Sequence, residues 1–228
     1  MESPAPYMDL IYVPEFPDEH AELRDMLAET RSEVIWTGPV HRQPVFTEGE
    51  VRVRLGAEAD TKVCVVLSGG GSGMDSQKFL QACLTAFHRM DAEGLLVVLL
   101  VGPLMQGQVS IPARFPHALQ VQRGGIGVPD LLSCADVVLC RGGYGSMNET
   151  AAIGARVLAY PADRGIDDQG KRVSQFAERG VCEMIVSLDP QVLGEQIGTA
   201  LLAGRRKGME LPTSGLERLA DRIAQLAH

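Results

Sequence analysis

"ADVVLCRGGYGSMNETAAIGARVLAYP", residues 135–161, passes from an apolar run into a turn holding Gly142, Gly143 and Gly145, then through small residues into a second apolar run. Strand, glycine-rich turn, helix and strand in that order make a βαβ unit, the repeating piece of a parallel sheet. The same grammar extends outward on both sides. Upstream, "VCVVLS" (63–68) closes on "GGGSG" and is followed by "DSQKFLQACLTAFHRM", with Phe79, Leu80, Cys83, Leu84, Phe87 and Met90 at helical spacing. "LLVVLLVG" (95–102), "ALQVQ" (118–122) and "CEMIVS" (182–187) add further strand candidates. Several are apolar throughout rather than alternating, as expected of parallel strands covered on both faces. With "DVVLC" and "RVLAYP" they predict a Rossmann-like, doubly wound α/β fold: a parallel sheet of about six strands with helices on both faces.

The first sixty residues read differently. "YMDLIYV" and "EVIWTG" are strand-like with "DEHAELRDMLAETR" helical between them, and "PVHRQPVFTEGEVRVRLGAEAD" (39–60) reads as a linker. The expected organisation is therefore residues 1–60 as the tail of a preceding domain plus linker, 61–205 as the Rossmann-like domain, and 206–228 as a linker and amphipathic helix. That helix, "LERLADRIAQLA", sets Leu216, Leu219, Ile223 and Leu226 on one stripe, part of which is expected to stay exposed and favour self-association.

A net charge of −8 argues against general nucleic-acid binding. The densest basic tract, "RRKG" at 205–208, reads as a solvated loop. Five cysteines without a CxxC pair suggest neither a zinc site nor a redox dithiol and fit a reducing cytosol. "MESPAPYMDL" is no signal peptide, and "LLVVLLV" is too short to cross a bilayer. The expectation is a cytoplasmic chain needing neither metal nor cofactor.

In open α/β sheets ligands sit beyond the carboxyl ends of strands. Two glycine-rich turns fall there. "SGGGSGMDS" (68–76) is either a phosphate-facing loop through Gly70, Gly71 and Ser72, or a tight turn capped by Ser72 or Asp75. "RGGYGS" leaves a parallel choice. Ser146 with Glu149 three residues on matches a capping box, yet the same serine can present its hydroxyl to phosphate, and the glutamate suits a ribose diol. "DDQGKR" after the next strand adds Asp168 and Gln169, a side-chain amide suited to sugar hydroxyls, or else Asp167 or Asp168 simply caps a helix.

Taken together, "ADVVLCRGGYGSMNETAAIGARVLAYP…DDQGKRVSQFAERG" resembles the donor-binding half of GT-B glycosyltransferases, over roughly residues 60–200. Within them it is similar to the family of lipid II-forming UDP-GlcNAc transferases (glycosyltransferase family 28). The resemblance implies that Gly143, Gly145 and Ser146 cradle a nucleotide diphosphate, Glu149 holds the ribose, and Asp168 with Gln169 grip the transferred sugar. Ile126, in "QRGGIGVPDLL", would lie near the base. Gly70, Gly71 and Ser72 would face the diphosphate and the acceptor. Two departures stand out. Arg172 occupies a position commonly Asn in the family, leaving its helix-anchoring contact open. Arg141 stands where plant-type members have His, and would either add charge to the phosphate site or reach solvent.

The implied activity is inverting transfer of N-acetylglucosamine or another hexose from a UDP (or TDP) donor to an acceptor hydroxyl. The general base is expected in an acceptor-binding N-terminal domain outside this chain, so no catalytic residue is assigned here. A UDP-sugar epimerase or hydrolase of the same architecture, or a non-catalytic nucleotide-binding module, are the alternatives.

Overall fold

The computed structural model describes residues 8–70, 74–105, 109–162, 168–206 and 215–226. In chain order the elements are β1 (Leu10–Val13), α1 (Ala21–Ala28), β2 (Glu33–Trp36), α2 (Glu48–Leu55), β3 (Lys62–Leu67), α3 (Met74–Arg89), β4 (Leu95–Leu100) and β5 (Ala118–Gln122). There follow α4 (Val128–Cys134), β6 (Val137–Cys140), α5 (Tyr144–Ile153), β7 (Arg156–Ala159), α6 (Gln169–Glu178), β8 (Glu183–Met184), α7 (Pro190–Ala203) and α8 (Gly215–Leu226). They fall into two compact units, Met1–Arg42 with Glu210–His228, and Gln43–Met209.

In the smaller unit β1 and β2 pair in parallel, Leu10 opposite Glu33 and Val13 opposite Trp36. The amide of Gly215, at the start of α8, donates to the Pro39 carbonyl at 3.1 Å. Further along α8, Arg222 pairs with Glu33 at 3.0 Å. Leu216 and Ile223 remain about half exposed, at 47% and 55%.

The larger unit is built on one parallel sheet in the order β5-β4-β3-β6-β7-β8. Alternate residues of the inner strands feed opposite faces, which is why β4 and β6, and β3 after Lys62, spell themselves as unbroken apolar runs. Cys64, Val66, Val97, Leu99 and Leu139 pack under α3 and α7 with Phe79, Phe87, Leu193 and Ile197. Val63, Val65, Val98, Val138 and Val157 pack on the other face with Val51, Leu131, Met147 and Val173. The chain winds outward from β3 in one direction and from β6 in the other. The boundary between these two neighbouring strands is the topological switch point, where α/β sheets open a crevice at their carboxyl ends.

Two expectations are corrected. The stretch read as a linker contains α2, and the compact unit begins near residue 43 rather than 61. Thr47 and Glu50 form a capping box, the Glu50 carboxylate accepting from the Thr47 amide at 2.8 Å and the Thr47 hydroxyl from the Glu50 amide at 3.4 Å. Only Val51 and Leu55, one turn apart, carry its buried face, while Val53 is 79% exposed. "EVRVRL" therefore shows no helical stripe in the sequence. Nor is "RRKG" simply solvated. Arg205 donates to the Ser133 carbonyl at 2.8 Å and pairs with Glu48 at 2.9 Å. Arg206 pairs with Glu183 at 3.1 Å and donates to the Gly180 carbonyl. Both arginines fasten the end of the larger unit.

All five cysteines are buried free thiols. Burial pushes Cys140 and Cys134 up to about 11 and Cys182 up to about 12, and raises Cys64 and Cys83 as well. A thiolate is the reactive form. Native protein at pH 8 is therefore expected to resist a disulfide-type thiol reagent, and denatured protein to react at all five positions. Rapid labelling of one or more thiols in the folded state would refute the burial.

Candidate functional site at the carboxyl edge of the sheet

The two glycine-rich turns leave β3 and β6, the adjacent strands at the switch point. After β3, Gly69 takes a left-handed φ of +71° and the chain is exposed at Gly69 and Gly70. The loop following β4 closes down on this turn. Ser68 Oγ accepts from the Gly102 amide at 2.8 Å, and the Gly70 carbonyl accepts from the Leu104 amide at 3.2 Å. The approach is close enough to require glycine: a Cβ on Gly102 would lie 2.2 Å from the Gly69 carbonyl oxygen. Gly71 and Ser72 lie outside the described residues.

After β6, Gly142 has φ +68° and Gly143 is the extended N-cap of α5. The helix starts at Tyr144, so Ser146 is its third residue and Glu149 its sixth. The capping box expected of Ser146 and Glu149 is thus not formed. The left-handed Gly142 turns the chain early, and α5 begins three residues before the pattern would start it. Its N-cap, Gly143, has no side chain to cap with, and the first internal bond runs from the Met147 amide to the Gly143 carbonyl at 3.0 Å. Gly145 is exposed and Ser146 partly so. A helix start of this kind offers amide donors and a positive dipole end to an anion. Glu149, one turn below, is 3% exposed.

The remaining site candidates gather around this turn or beside it. Arg141, 7% exposed, donates through Nη1 to the hydroxyl of Ser76, itself buried in the first turn of α3. It therefore braces the starts of α3 and α5 from beneath rather than reaching solvent. Asp168 is the N-cap of α6, its Oδ1 accepting from the Lys171 amide at 2.8 Å. Gln169, the first residue of that helix, is 3% exposed. Ile126 is half-buried just before Gly127, the N-cap of α4, and packs against the Leu131 layer.

Two residues escaped the sequence reading. Ser76 carries no signal beyond its place near a helix start. Gly102 does, as a glycine abutting the unbroken strand "LLVVLLV". Arg172, a departure from the family pattern, links α6 to the turn before α5. Its Nη1 donates to the Gly142 carbonyl at 3.1 Å, and its guanidinium lies 5.8 Å from the centre of the Tyr144 ring.

Two other features compete for attention. A cleft of about 720 Å³ lies at the opposite, amino-terminal edge of β3, β4 and β5, lined by Gly56, Glu58, Asp91, Glu93 and His117. Its walls are strand starts and helix ends, which turn carbonyls rather than amides toward a ligand. The carboxyl edge is the better anion site. In the smaller unit Glu15, Glu19 and His20 bring their ligand atoms within 4.8 Å of one another, and an ion pair of 3.5 Å between His20 and Glu15 accounts for the grouping.

Known proteins share this fold. A curated relative, the UDP-N-acetylglucosamine--N-acetylmuramyl-(pentapeptide) pyrophosphoryl-undecaprenol N-acetylglucosamine transferase of Acidothermus cellulolyticus, is 27% identical over 198 residues. The match takes in 78% of this chain and 51% of that one, so the chain spans about half the length of the relative. Among solved structures, MurG of Acinetobacter baumannii superposes with a TM-score of 0.54 at 18% identity, over 85% of this chain and 56% of that one. The calicheamicin glycosyltransferase CalG4 gives 0.53 at 18% identity, over 85% and 44%. These likenesses carry the fold. Because the sequence model of the glycosyltransferase family 28 C-terminal domain matches residues 70–224, spanning both glycine-rich turns and the start of α6, the chain belongs to that family.

Proposed function

We propose that this chain is the donor-binding half of an inverting glycosyltransferase that moves a hexose, with N-acetylglucosamine the first candidate, from a UDP donor to an acceptor hydroxyl. The observation that carries the reading is the glycine-capped start of α5 at the switch point, with a buried carboxylate one turn below it. In this reading the diphosphate lies on the first-turn amides of α5 and the Ser146 hydroxyl. The Glu149 carboxylate accepts both ribose hydroxyl protons. Gln169 pairs with sugar hydroxyls by donating and accepting, and Asp168 offers the oxygen not used as a cap. Ile126 and its flanking backbone border the base.

The acceptor oxygen attacks the anomeric carbon as the bond from that carbon to the β-phosphate oxygen breaks. The bonding pair leaves on the diphosphate, and the acceptor's proton passes to a base. Helix amides already aimed at the phosphates stabilise the growing charge without reorganising. The base and the acceptor pocket belong to an N-terminal domain, which we place in the same full-length protein. The buried free cysteines favour a reducing cytoplasm as its setting. No helix among the described residues is long and apolar enough to cross a membrane.

Calorimetric titration of UDP, UDP-GlcNAc and NAD tests the reading. UDP and its sugar are expected to bind and NAD is not. Glu149→Gln should weaken UDP by roughly tenfold or more, since two charge-assisted bonds to the ribose are lost. Its melting temperature should stay within a few degrees of the parent. Absence of UDP binding, or an equal loss of melting temperature and affinity, would count against the assignment.

A further inference from the structure

Resting on the donor-binding reading, we propose that Arg172 is the fixed cation of the donor site, a positioning residue that locks the Gly142 turn and sets a permanent positive charge beside the diphosphate. Its guanidinium touches residues on both sides of the α5 N-cap: the Gly142 carbonyl before it, at 3.1 Å, and the Tyr144 ring after it, at 5.8 Å. Whatever anion occupies the first turn of α5 therefore lies within a few residues' reach of this charge.

The placement is held by packing. Arg172 sits in the first turn of α6, whose N-cap is satisfied by Asp168. The next residue, Val173, is fully buried and so close to Gly142 that a Cβ there would lie 2.4 Å from its Cγ2. The helix thus cannot approach or rotate without disturbing the turn. A guanidinium does not titrate in the working range, so its charge persists whatever its five N–H donors bond. Arg141 differs in being 7% exposed and bonded to the Ser76 hydroxyl at the start of α3. Glu149 and Asp168, the neighbouring carboxylates, would repel a diphosphate, and Arg172 offsets them. The Asn common at this position in similar enzymes could hold the carbonyl but would bring no charge.

The test separates charge from tethering. Wild type, Arg172→Gln and Arg172→Lys are titrated calorimetrically with UDP and with uridine at low and moderate ionic strength. Arg172→Gln is expected to weaken UDP by about tenfold and uridine by less than about twofold, and to flatten the salt dependence of UDP binding. Arg172→Lys should keep most of the affinity and the wild-type salt slope. Equal losses for UDP and uridine, or a lysine variant as weak as the glutamine one, would reduce Arg172 to a tether. Should the glutamine variant not fold, the lysine variant carries the test: a flattened slope overturns the proposal. If wild type binds neither ligand, the donor reading itself falls; if it binds both and Arg172→Gln changes nothing, only the role of Arg172 does.

Discussion

Gly142→Ala is expected to destabilise the larger unit by about 3 kcal/mol, lowering its melting temperature by about 6–12 °C. Two costs add. Gly142 stands at φ +68°, where a side chain costs roughly 1–2 kcal/mol. The new Cβ would also meet Val173 Cγ2 at 2.4 Å, and overpacking a fixed core site costs about 1–3 kcal/mol. Val173 is fully buried and cannot swing away, so either α6 or the turn must move. The two costs can be told apart. In the Gly142→Ala/Val173→Ala double variant the clash is gone and only the backbone strain remains. That variant should be less destabilised than the sum of the single changes by about 1 kcal/mol or more. Denaturant midpoints of the four proteins supply the cycle. Strict additivity, or a single alanine variant within about 0.5 kcal/mol of the parent, would mean that the turn and α6 are not rigidly joined.

That joint shows what one sequence can and cannot reveal. The inner strands were legible because parallel strands buried on both faces read as continuous apolar runs: "VCVVLS" predicts β3, and "LLVVLLVG" predicts β4 nearly residue for residue. The glycines marked the turns that leave β3 and β6, and the general rule for open α/β sheets made that edge the candidate site. The start of α5 was not legible. Ser146 and Glu149 satisfy the local capping pattern, but the helix begins at Tyr144, because Gly142 turns left-handed against Val173, thirty-one positions further along. Contacts of that range depend on which strands become neighbours, and no local pattern encodes them. The same holds for Arg141 with Ser76, brought together only because β6 lies beside β3. α2 was missed for the opposite reason, since its local capping signal was present but its buried stripe is only two residues wide.

Gly102→Ala probes the other turn, and its expected effect falls on binding more than on stability. The added Cβ would lie 2.2 Å from the Gly69 carbonyl oxygen, and 2.6 and 2.7 Å from the Gly70 carbonyl carbon and oxygen. All three are backbone atoms, with no flexible side chain to yield. The exit of β4 is anchored by the Val101 amide on the Gln122 carbonyl at 2.9 Å, whereas Gly69 and Gly70 are exposed. The turn after β3 should therefore be displaced, breaking the bond from the Gly102 amide to Ser68 Oγ and that from the Leu104 amide to the Gly70 carbonyl. Losing these two bonds costs about 1–3 kcal/mol, a drop of about 2–12 °C in melting temperature. If the first turn faces the diphosphate, UDP affinity should fall about tenfold or more while uridine affinity changes little. Hydrogen exchange at the Gly102 and Leu104 amides would report the displacement directly. Faster exchange with unchanged UDP affinity would separate this turn from the donor site and leave the anion to α5 alone. Unchanged exchange at both amides would show that the exit of β4, not the turn, gives way.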